Sequence, residues 1–383
     1  MRKFIPFFLA ISSTLFADGN RSKVCLNMIV KDESPVIQRC LESTKPWIDY
    51  WVIIDTGSTD GTQKIIREVL KDIPGELHER PWKNFEHNRN EALNLARKKG
   101  DYLLFIDADE ELKYPKNGKL PDLNIDCYLT TIKTKTVESS RIFLAKTALP
   151  WKWKGVLHEE LYCESMKPTA SYLGGIAIFA DTEDGHRSQD PEKHLKDAAI
   201  LQAALQTDPN NVRYTMFLAE SYWTAGRYES ALKAYEKRAS LGEWDQEVYY
   251  SLYRAACCKQ LLNMDAQAVI EGYTKAFQYR PTRGEPLFRL ANYYLQLKNY
   301  ALAYKTAKQL LSLKIPVNDL QIESAIYDYL SLALFVECAA NLKKYDEAKS
   351  SAQAILLRKD IPTDIIEKVK HFIQTHPGEK TSP

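Results

Sequence analysis

Tyr102-Leu103-Leu104-Phe105-Ile106-Asp107-Ala108-Asp109-Glu110 sets five apolar residues directly before a run of carboxylates. An unbroken apolar run of this length suits a strand covered on both faces, as in a parallel sheet. Asp107 and Asp109, two apart at its end, project in roughly the same direction from the sheet edge. Hard carboxylate oxygens suit Mg²⁺ or Mn²⁺, which keep waters and are completed by substrate phosphates. An Asp-x-Asp in a loop also serves as a helix cap or a solvated pair, so the position after a buried strand gives this one its weight.

Two similar runs lie upstream. Val24 to Val30 is followed by the polar turn Lys31-Asp32-Glu33-Ser34-Pro35, where Ser34 is expected to cap a helix carrying Val36, Ile37, Cys40 and Leu41. Tyr50 to Ile54 is followed by Asp55-Thr56-Gly57-Ser58-Thr59-Asp60-Gly61-Thr62 and then by Ile65, Ile66, Val69 and Leu70 at helical spacing. Ser58 or Asp60 would cap that helix. Leu77 to Arg80 reads as a short strand. Asn88 to Lys99 reads as a helix stopped by Gly100. Strands alternate with helices, and each strand ends in a polar loop. That pattern predicts a doubly wound α/β sheet with ligands at the carboxyl ends of its strands. Neither a Gly-x-Gly-x-x-Gly nor a Gly-Lys-Ser/Thr loop is present, which argues against dinucleotide and P-loop sites. Shorter strands follow at 127–132, 140–145 and 171–179.

Composition changes after Asp190-Pro191. Sixteen of the 22 tyrosines lie beyond residue 190. Leu218-Ala219, Tyr222, Ala231 and Tyr235 recur as Leu290-Ala291, Tyr294, Ala303 and Ala307. Ala256 and Ala268 repeat the twelve-residue spacing of Ala219 to Ala231 and Ala291 to Ala303. A weaker copy carries Ala339, Ala348 and Ala352. A period near 34, with small residues where helices cross, resembles tetratricopeptide repeats.

The whole chain bounds these readings. Its 383 residues suit two or three domains, and 45% hydrophobic against 27% charged residues excludes global disorder. A formal net charge of +2 is no nucleic-acid footprint. The 15 glycines, about 4% of the chain, argue against a glycine-rich barrel or propeller. Seven scattered cysteines with no Cys-x-x-Cys pair indicate neither a disulfide framework nor structural zinc. Arg2 and Lys3 precede the apolar run Phe4 to Phe16, and Ala17 precedes the polar break. Residues 1–19 therefore read as a signal-like or short anchor segment, too short to span a bilayer comfortably.

Asn27-Met28-Ile29-Val30-Lys31-Asp32-Glu33, the Asp55 to Thr62 loop, Trp82, Phe85, Asn88-Arg89-Asn90 and Asp107-Ala108-Asp109-Glu110 occur in order. Together they resemble family 2 glycosyltransferases, in particular the bacterial branch joined to tetratricopeptide repeats. The resemblance covers residues 24 to about 190, with the repeats behind it. It implies an α/β GT-A nucleotide-sugar-binding domain at 20–190, an all-α repeat domain at 191–376, and a tail at 377–383. It further implies that Glu33 contacts the nucleoside, Asp55 the base (commonly uracil) and Asp107 the ribose. Arg89 would hold the diphosphate, and Asp109 would bind the Mn²⁺ or Mg²⁺ that bridges it.

Trp151-Lys152-Trp153-Lys154-Gly155-Val156-Leu157-His158-Glu159-Glu160 fits the family's acceptor segment. An inverting transfer needs a carboxylate to take the acceptor's proton, so Glu159 is the expected base and Glu160 the second choice. Trp151 and Trp153 would stack on a sugar or pack in a half-buried strand. His186 is the expected further metal ligand, with His158 as its rival. The partners implied are a nucleotide-diphosphate sugar, commonly UDP-linked, a glycan, lipid or protein acceptor, and a protein on the repeats. A cytoplasmic location, or one peripheral to the cytoplasmic membrane face, fits a cytosolic donor, and the signal-like segment leaves export open.

The competing reading is a non-enzymatic repeat adaptor with a degenerate N-terminal domain. The intact Asp55 loop and Asp107/Asp109 pair argue against it. A nucleotidyltransferase would place a basic, glycine-rich loop where this chain has Lys31-Asp32-Glu33.

Overall fold

The computed structural model describes residues 21–115, 120–134, 138–180, 185–316, 319, 321–358 and 361–376. The signal-like segment 1–19 and the tail 377–383 lie outside the described residues. The chain forms two compact units, Met1–Asp190 and Pro191–Pro383. Among the described residues no helix is long and apolar enough to cross a membrane.

The first unit opens with alternating elements: β1 (Val24–Val30), α1 (Ile37–Thr44), β2 (Tyr50–Asp55), α2 (Thr62–Val69), β3 (Gly75–Glu79), α3 (Phe85–Ala96) and β4 (Tyr102–Phe105). Shorter connections then link β5 (Glu110–Lys113), β6 (Cys127–Lys133), β7 (Glu138–Lys146), β8 (Trp151–Lys154), β9 (Glu160–Cys163) and β10 (Ala170–Ala180). One sheet runs β3-β2-β1-β4-β7-β6-β10-β5, and β8 pairs with β9 separately. β1 to β4 are mutually parallel where they pair, whereas β7 runs antiparallel to both β4 and β6.

Side-chain alternation explains why the parallel strands read as continuous apolar runs. Leu26, Met28, Trp51, Ile53, Leu104 and Ile106 pack on one face with Ile37, Leu41 and Ile66. Cys25, Val52, Leu103 and Phe105 pack on the other with Leu93, Ala96, Trp151 and Trp153. Thus α1 and α2 cover one side, while α3 and the β8–β9 hairpin cover the other. All seven cysteines are free, and all except Cys163 are buried.

Two local expectations need correction. α3 begins at Phe85 rather than Asn88, because Asn84 caps it by accepting from the His87 amide at 2.8 Å. Ser34 does not cap α1. Its amide donates to Asp60 Oδ2 at 2.8 Å, and α1 starts after a further turn with no side-chain cap.

The second unit contains α4 (Lys193–Thr207), α5 (Val212–Thr224), α6 (Tyr228–Ser240), α7 (Asp245–Leu261), α8 (Ala266–Tyr279), α9 (Glu285–Gln296), α10 (Tyr300–Leu311), α11 (Ser331–Asn341), α12 (Tyr345–Leu356) and α13 (Thr363–Thr375). α5/α6, α7/α8, α9/α10 and α11/α12 are helical hairpins whose turns each contain a left-handed residue: Gly226, Asn263, Lys298 and Lys343. Ala219, Ala231, Ala291, Ala303, Ala307, Ala339, Ala348 and Ala352 are all fully buried, as the repeat pattern predicts. Ala268 is the exception. The α7–α8 turn is one residue longer after its left-handed position, so Val269 takes the fully buried place and Ala268 is only half-buried.

Candidate active site

β2 delivers Asp55 into complete burial. Its Oδ1 accepts from the amides of Gly57 at 2.9 Å and Ser58 at 2.8 Å, a turn that uses Gly57 at φ +109°. Its Oδ2 is buried with no hydrogen-bond partner. A buried carboxylate oxygen left unsatisfied is costly, which makes it an acceptor in wait of an N–H or O–H.

The loop after β1 is stitched to this one. The Asp32 amide donates to Ser58 Oγ at 2.8 Å, the Thr59 amide to Asp32 Oδ1 at 2.7 Å, and the Glu33 amide to Thr62 Oγ1 at 2.9 Å. Asp60 accepts from the Thr62 hydroxyl at 2.6 Å and from the amides of Thr62 and Ser34; burial acts against its charge, yet these bonds hold the carboxyl down to about 2. The structure therefore brings Glu33 and Asp55, both expected at the nucleoside, into two loops laced to each other. Asp60, rather than Ser58, serves the start of α2.

The second centre is the turn after β4. The Glu110 amide donates to the Asp107 carbonyl at 3.1 Å, and the Asp107 amide donates back to Glu110 Oε2 at 2.9 Å. Two arginines clasp Asp107. Arg89 Nη2 donates to its Oδ1 at 2.8 Å, and Arg141 Nη1 to its Oδ2 at 3.3 Å. Each arginine also holds a second, largely buried acid: Arg89 Nε reaches Glu159 Oε2 at 3.3 Å, and Arg141 Nη2 bonds Glu110 Oε2. The order is Glu159–Arg89–Asp107–Arg141–Glu110.

Burial would raise the Asp107 carboxyl, but the two guanidinium groups hold it well below the usual carboxylate range. Burial dominates for Glu110, whose carboxyl is raised despite Arg141. Glu159 is raised for the same reason, against the pull of Arg89; its side chain is 8% exposed. Arg89 lies over the Trp153 ring at 4.9 Å, which packs edge-on against Phe105.

α3 places the hairpin that carries Glu159. Asn90 grips the Trp153 backbone twice: its Nδ2 donates to the carbonyl at 2.8 Å and its Oδ1 accepts from the amide at 2.9 Å. Glu86 accepts from the Gly155 amide at 2.9 Å. Asn88 is fully buried and closes the chain before the helix through Lys83 N and Pro81 O. Asn27 ties β1 to the helix at Ala92 O, 2.8 Å.

Trp151 and Trp153 are buried, so both follow the packing reading and neither offers a face to a sugar. Glu160 opens β9, exposed and opposite Lys154, while Glu159 turns to Arg89. His158 is exposed at φ +53°.

Asp109 follows in the same turn, its carbonyl accepting from Arg39 Nη2 at 3.2 Å. Gly185 packs on its carboxylate so closely that a Cβ there would come within 2.8 Å of Oδ2. The backbone of His186, first residue of a short 3-10 turn, therefore passes beside Asp109; the His186 side chain is outside the described residues. Among the described residues no group of three or more His, Cys, Asp or Glu could hold a metal by itself.

Sequence reading missed Arg141, Glu110 as its buried partner, and the Asn90 and Glu86 supports. Arg141 carries little sequence signal, being one basic residue in a strand of mixed polarity. Asn90 stands inside the recognised Asn-Arg-Asn run, but its partner is a backbone 63 residues away.

Residues 25–120 match the family model for glycosyl transferase family 2. A TPR repeat-containing protein of Synechococcus elongatus is 39% identical over 98 residues, 26% of this chain and 23% of that protein. The SPbeta prophage-derived glycosyltransferase SunS of Bacillus subtilis is 22% identical over 227 residues, 56% of this chain and 52% of that protein. A tetratricopeptide repeat protein of Parabacteroides merdae is among the similar solved structures, at 16% identity and a TM-score of 0.37, covering 48% of this chain and 66% of that one. Residues 25–120 thus match a family 2 glycosyltransferase domain, and part of the chain is similar to a TPR repeat-containing protein. The chain spans about half the length, or less, of these two sequence relatives.

Proposed function

We propose that the first unit is an inverting glycosyltransferase that moves a sugar from a nucleoside-diphosphate sugar, UDP-linked, to a hydroxyl of a glycan, lipid or protein acceptor. One observation carries this reading. β2 and β4 flank β1 in the sheet, and each ends in a held carboxylate: Asp55 with a buried oxygen awaiting a donor, and Asp107 clasped by two arginines. Ligands of open α/β sheets bind at such carboxyl ends. Asp55 Oδ2 would accept the N–H of a base, Glu33 would border the nucleoside, and Asp107 would face the ribose.

The donor set fits a hard divalent cation of the Mn²⁺ or Mg²⁺ kind. Asp109 would supply carboxylate oxygens, and donor phosphates would complete the shell. His186 is the proposed further protein ligand, with His158 as its alternative. When bound, the ion would offset the charge gathering on the departing diphosphate.

Glu159 is the proposed base. Burial makes its carboxylate more basic than an exposed one, and Arg89 fixes its direction. It would take the proton of the acceptor hydroxyl as that oxygen bonds to the sugar carbon and the bond to the diphosphate breaks. Glu160, exposed at the head of β9, is the alternative base. The repeats are proposed to recruit the acceptor or a protein partner, as stacked helical hairpins offer extended surfaces.

The test is to incubate the chain with UDP-, GDP- and dTDP-sugars and Mn²⁺ and to follow release of the nucleoside diphosphate. Release that stops with EDTA supports the reading. Absence of release with every donor, together with absence of nucleotide binding, overturns it.

A further inference from the structure

Arg141 reaches the Asp107–Glu110 turn from outside the motifs of the first half of the sheet. It lies on β7, opposite Thr130 of β6, and 34 residues from Asp107. Its fork spans the turn. Nη1 donates to Asp107 Oδ2, while Nη2 bonds Glu110 Oε2, the same oxygen that accepts the Asp107 amide. The turn is closed by its own backbone through Glu110 N and Asp107 O at 3.1 Å. Asp109 sits inside that closure, between the two residues that Arg141 holds. Arg89 holds the other oxygen of Asp107.

Asp107 and the buried Glu110 bring two carboxyl oxygens to one guanidinium, which ties the two acids into one turn. A planar guanidinium satisfies both with fixed geometry, which a single ammonium cannot do. We infer that Arg141 is a positioning residue of the transfer reaction: through Asp107 and Glu110 it sets the direction in which the turn presents Asp109 to the metal-bound diphosphate. This inference rests on the glycosyltransferase reading.

The direct alternative is that Arg141 binds the diphosphate itself, and the two roles separate on metal dependence. UDP would be titrated calorimetrically into full-length wild type, R141M, R141K, E110Q and R141M/E110Q, with and without Mn²⁺, alongside steady-state kinetics and thermal melting. In R141M the metal-free UDP affinity is expected to stay within about twofold, because the Asp55 loop is untouched and Arg89 Nη2 still holds the ribose-facing Asp107 through Oδ1 at 2.8 Å. The Mn²⁺-dependent gain is expected to shrink, and kcat/KM to fall roughly 10²-fold, the usual scale for a displaced reacting group. R141K restores part of both. E110Q loosens the same turn, so R141M/E110Q is no worse than R141M, a non-additivity expected of residues acting as a unit.

Loss of metal-free UDP affinity in R141M overturns the inference in favour of direct contact. Additive losses in the double variant, or a lower melting temperature with unchanged binding and kinetics, overturn it in favour of a structural role. A wild-type chain that binds neither UDP nor GDP, with or without Mn²⁺, and releases no nucleoside diphosphate overturns the glycosyltransferase reading and this inference with it.

Discussion

The two units bury polar and small residues by different logic. In the repeats, Ala219, Ala231, Ala291 and Ala303 disappear between helices that are neighbours in sequence, so each contact repeats along the chain. In the first unit, Asp107 draws its partners from α3, from β7 and from its own turn, and Glu159 joins across 70 residues. Sequential contacts spread stability over many equivalent positions. The topological gathering in the first unit concentrates chemistry in a few side chains. Substitutions should therefore cost activity with little stability in one unit, and stability in local portions in the other.

The largest effect is expected at Asp109. Asp109→Ala should abolish transfer and donor hydrolysis, since the proposed ion loses its main protein oxygen and the leaving diphosphate loses its counter-charge. The melting temperature should stay close to wild type, because the Arg–Asp–Arg clasp is centred on Asp107. Turnover near wild type in this variant, or in wild type with EDTA, would remove the metal from the mechanism.

Next comes Glu159. Glu159→Gln should lower turnover roughly 10²–10⁴-fold, the usual worth of a general base. Nucleotide affinity should survive, and Glu160→Gln should be mild because that residue is exposed. The pH profile gives a signed check. Burial raises the Glu159 carboxyl against the pull of Arg89, so in the free enzyme it gives up its proton at a higher pH than an exposed glutamate. The base form appears only as pH rises through the raised value. The acid limb of kcat/KM should therefore lie above the ordinary glutamate range and should vanish in Glu159→Gln. A limb at the ordinary range would assign the base to an exposed carboxylate such as Glu160.

Asp55→Asn tests the nucleoside end with a smaller effect. Asparagine can keep its oxygen on the Gly57 and Ser58 amides but turns the other position into a donor. A ligand N–H would then meet an N–H. Nucleotide affinity should fall about 10–100-fold, about 1.4–2.7 kcal/mol, the scale of one buried mismatched polar pair. Calorimetry with UDP measures it, and unchanged affinity would place the base elsewhere.

How much of this was legible in the sequence follows the same division. The repeat register could be read because small residues recur at fixed offsets, and it slipped at Ala268, where the turn preceding α8 gained a residue. The strands β1, β2 and β4 were legible as apolar runs because both faces are covered. Asp55 and its loop could be read too, for residues 55–62 bond largely among themselves and to residues 32–34. The Arg141–Glu110 pair could not: nothing in a strand of mixed polarity announces that its arginine meets a turn 31 residues earlier. Nor could the Asn90 clamp, whose partner is backbone and so leaves no side-chain signature.

The smallest effects belong to the repeats, where Ala231 and Ala268 make a matched pair. Both follow a left-handed turn residue by five positions, Gly226 and Asn263 respectively. Ala231 is fully buried between α6 and its neighbours, whereas Ala268 is only half-buried because Val269 has moved into the inward place. Leucine at 231 must force three extra carbons into a closed crossing, which should cost about 1–3 kcal/mol. Leucine at 268 has an outward path and should cost less than about 0.5 kcal/mol, in the range of surface changes. Urea unfolding of the two variants reads the difference directly, with m-values checking that the unfolded state is unaltered. Equal losses would mean that the twelve-residue spacing, not the longer turn, sets the register of α8. Transfer activity should be unchanged in Ala268→Leu, which separates a local loss in the repeats from any effect on the first unit.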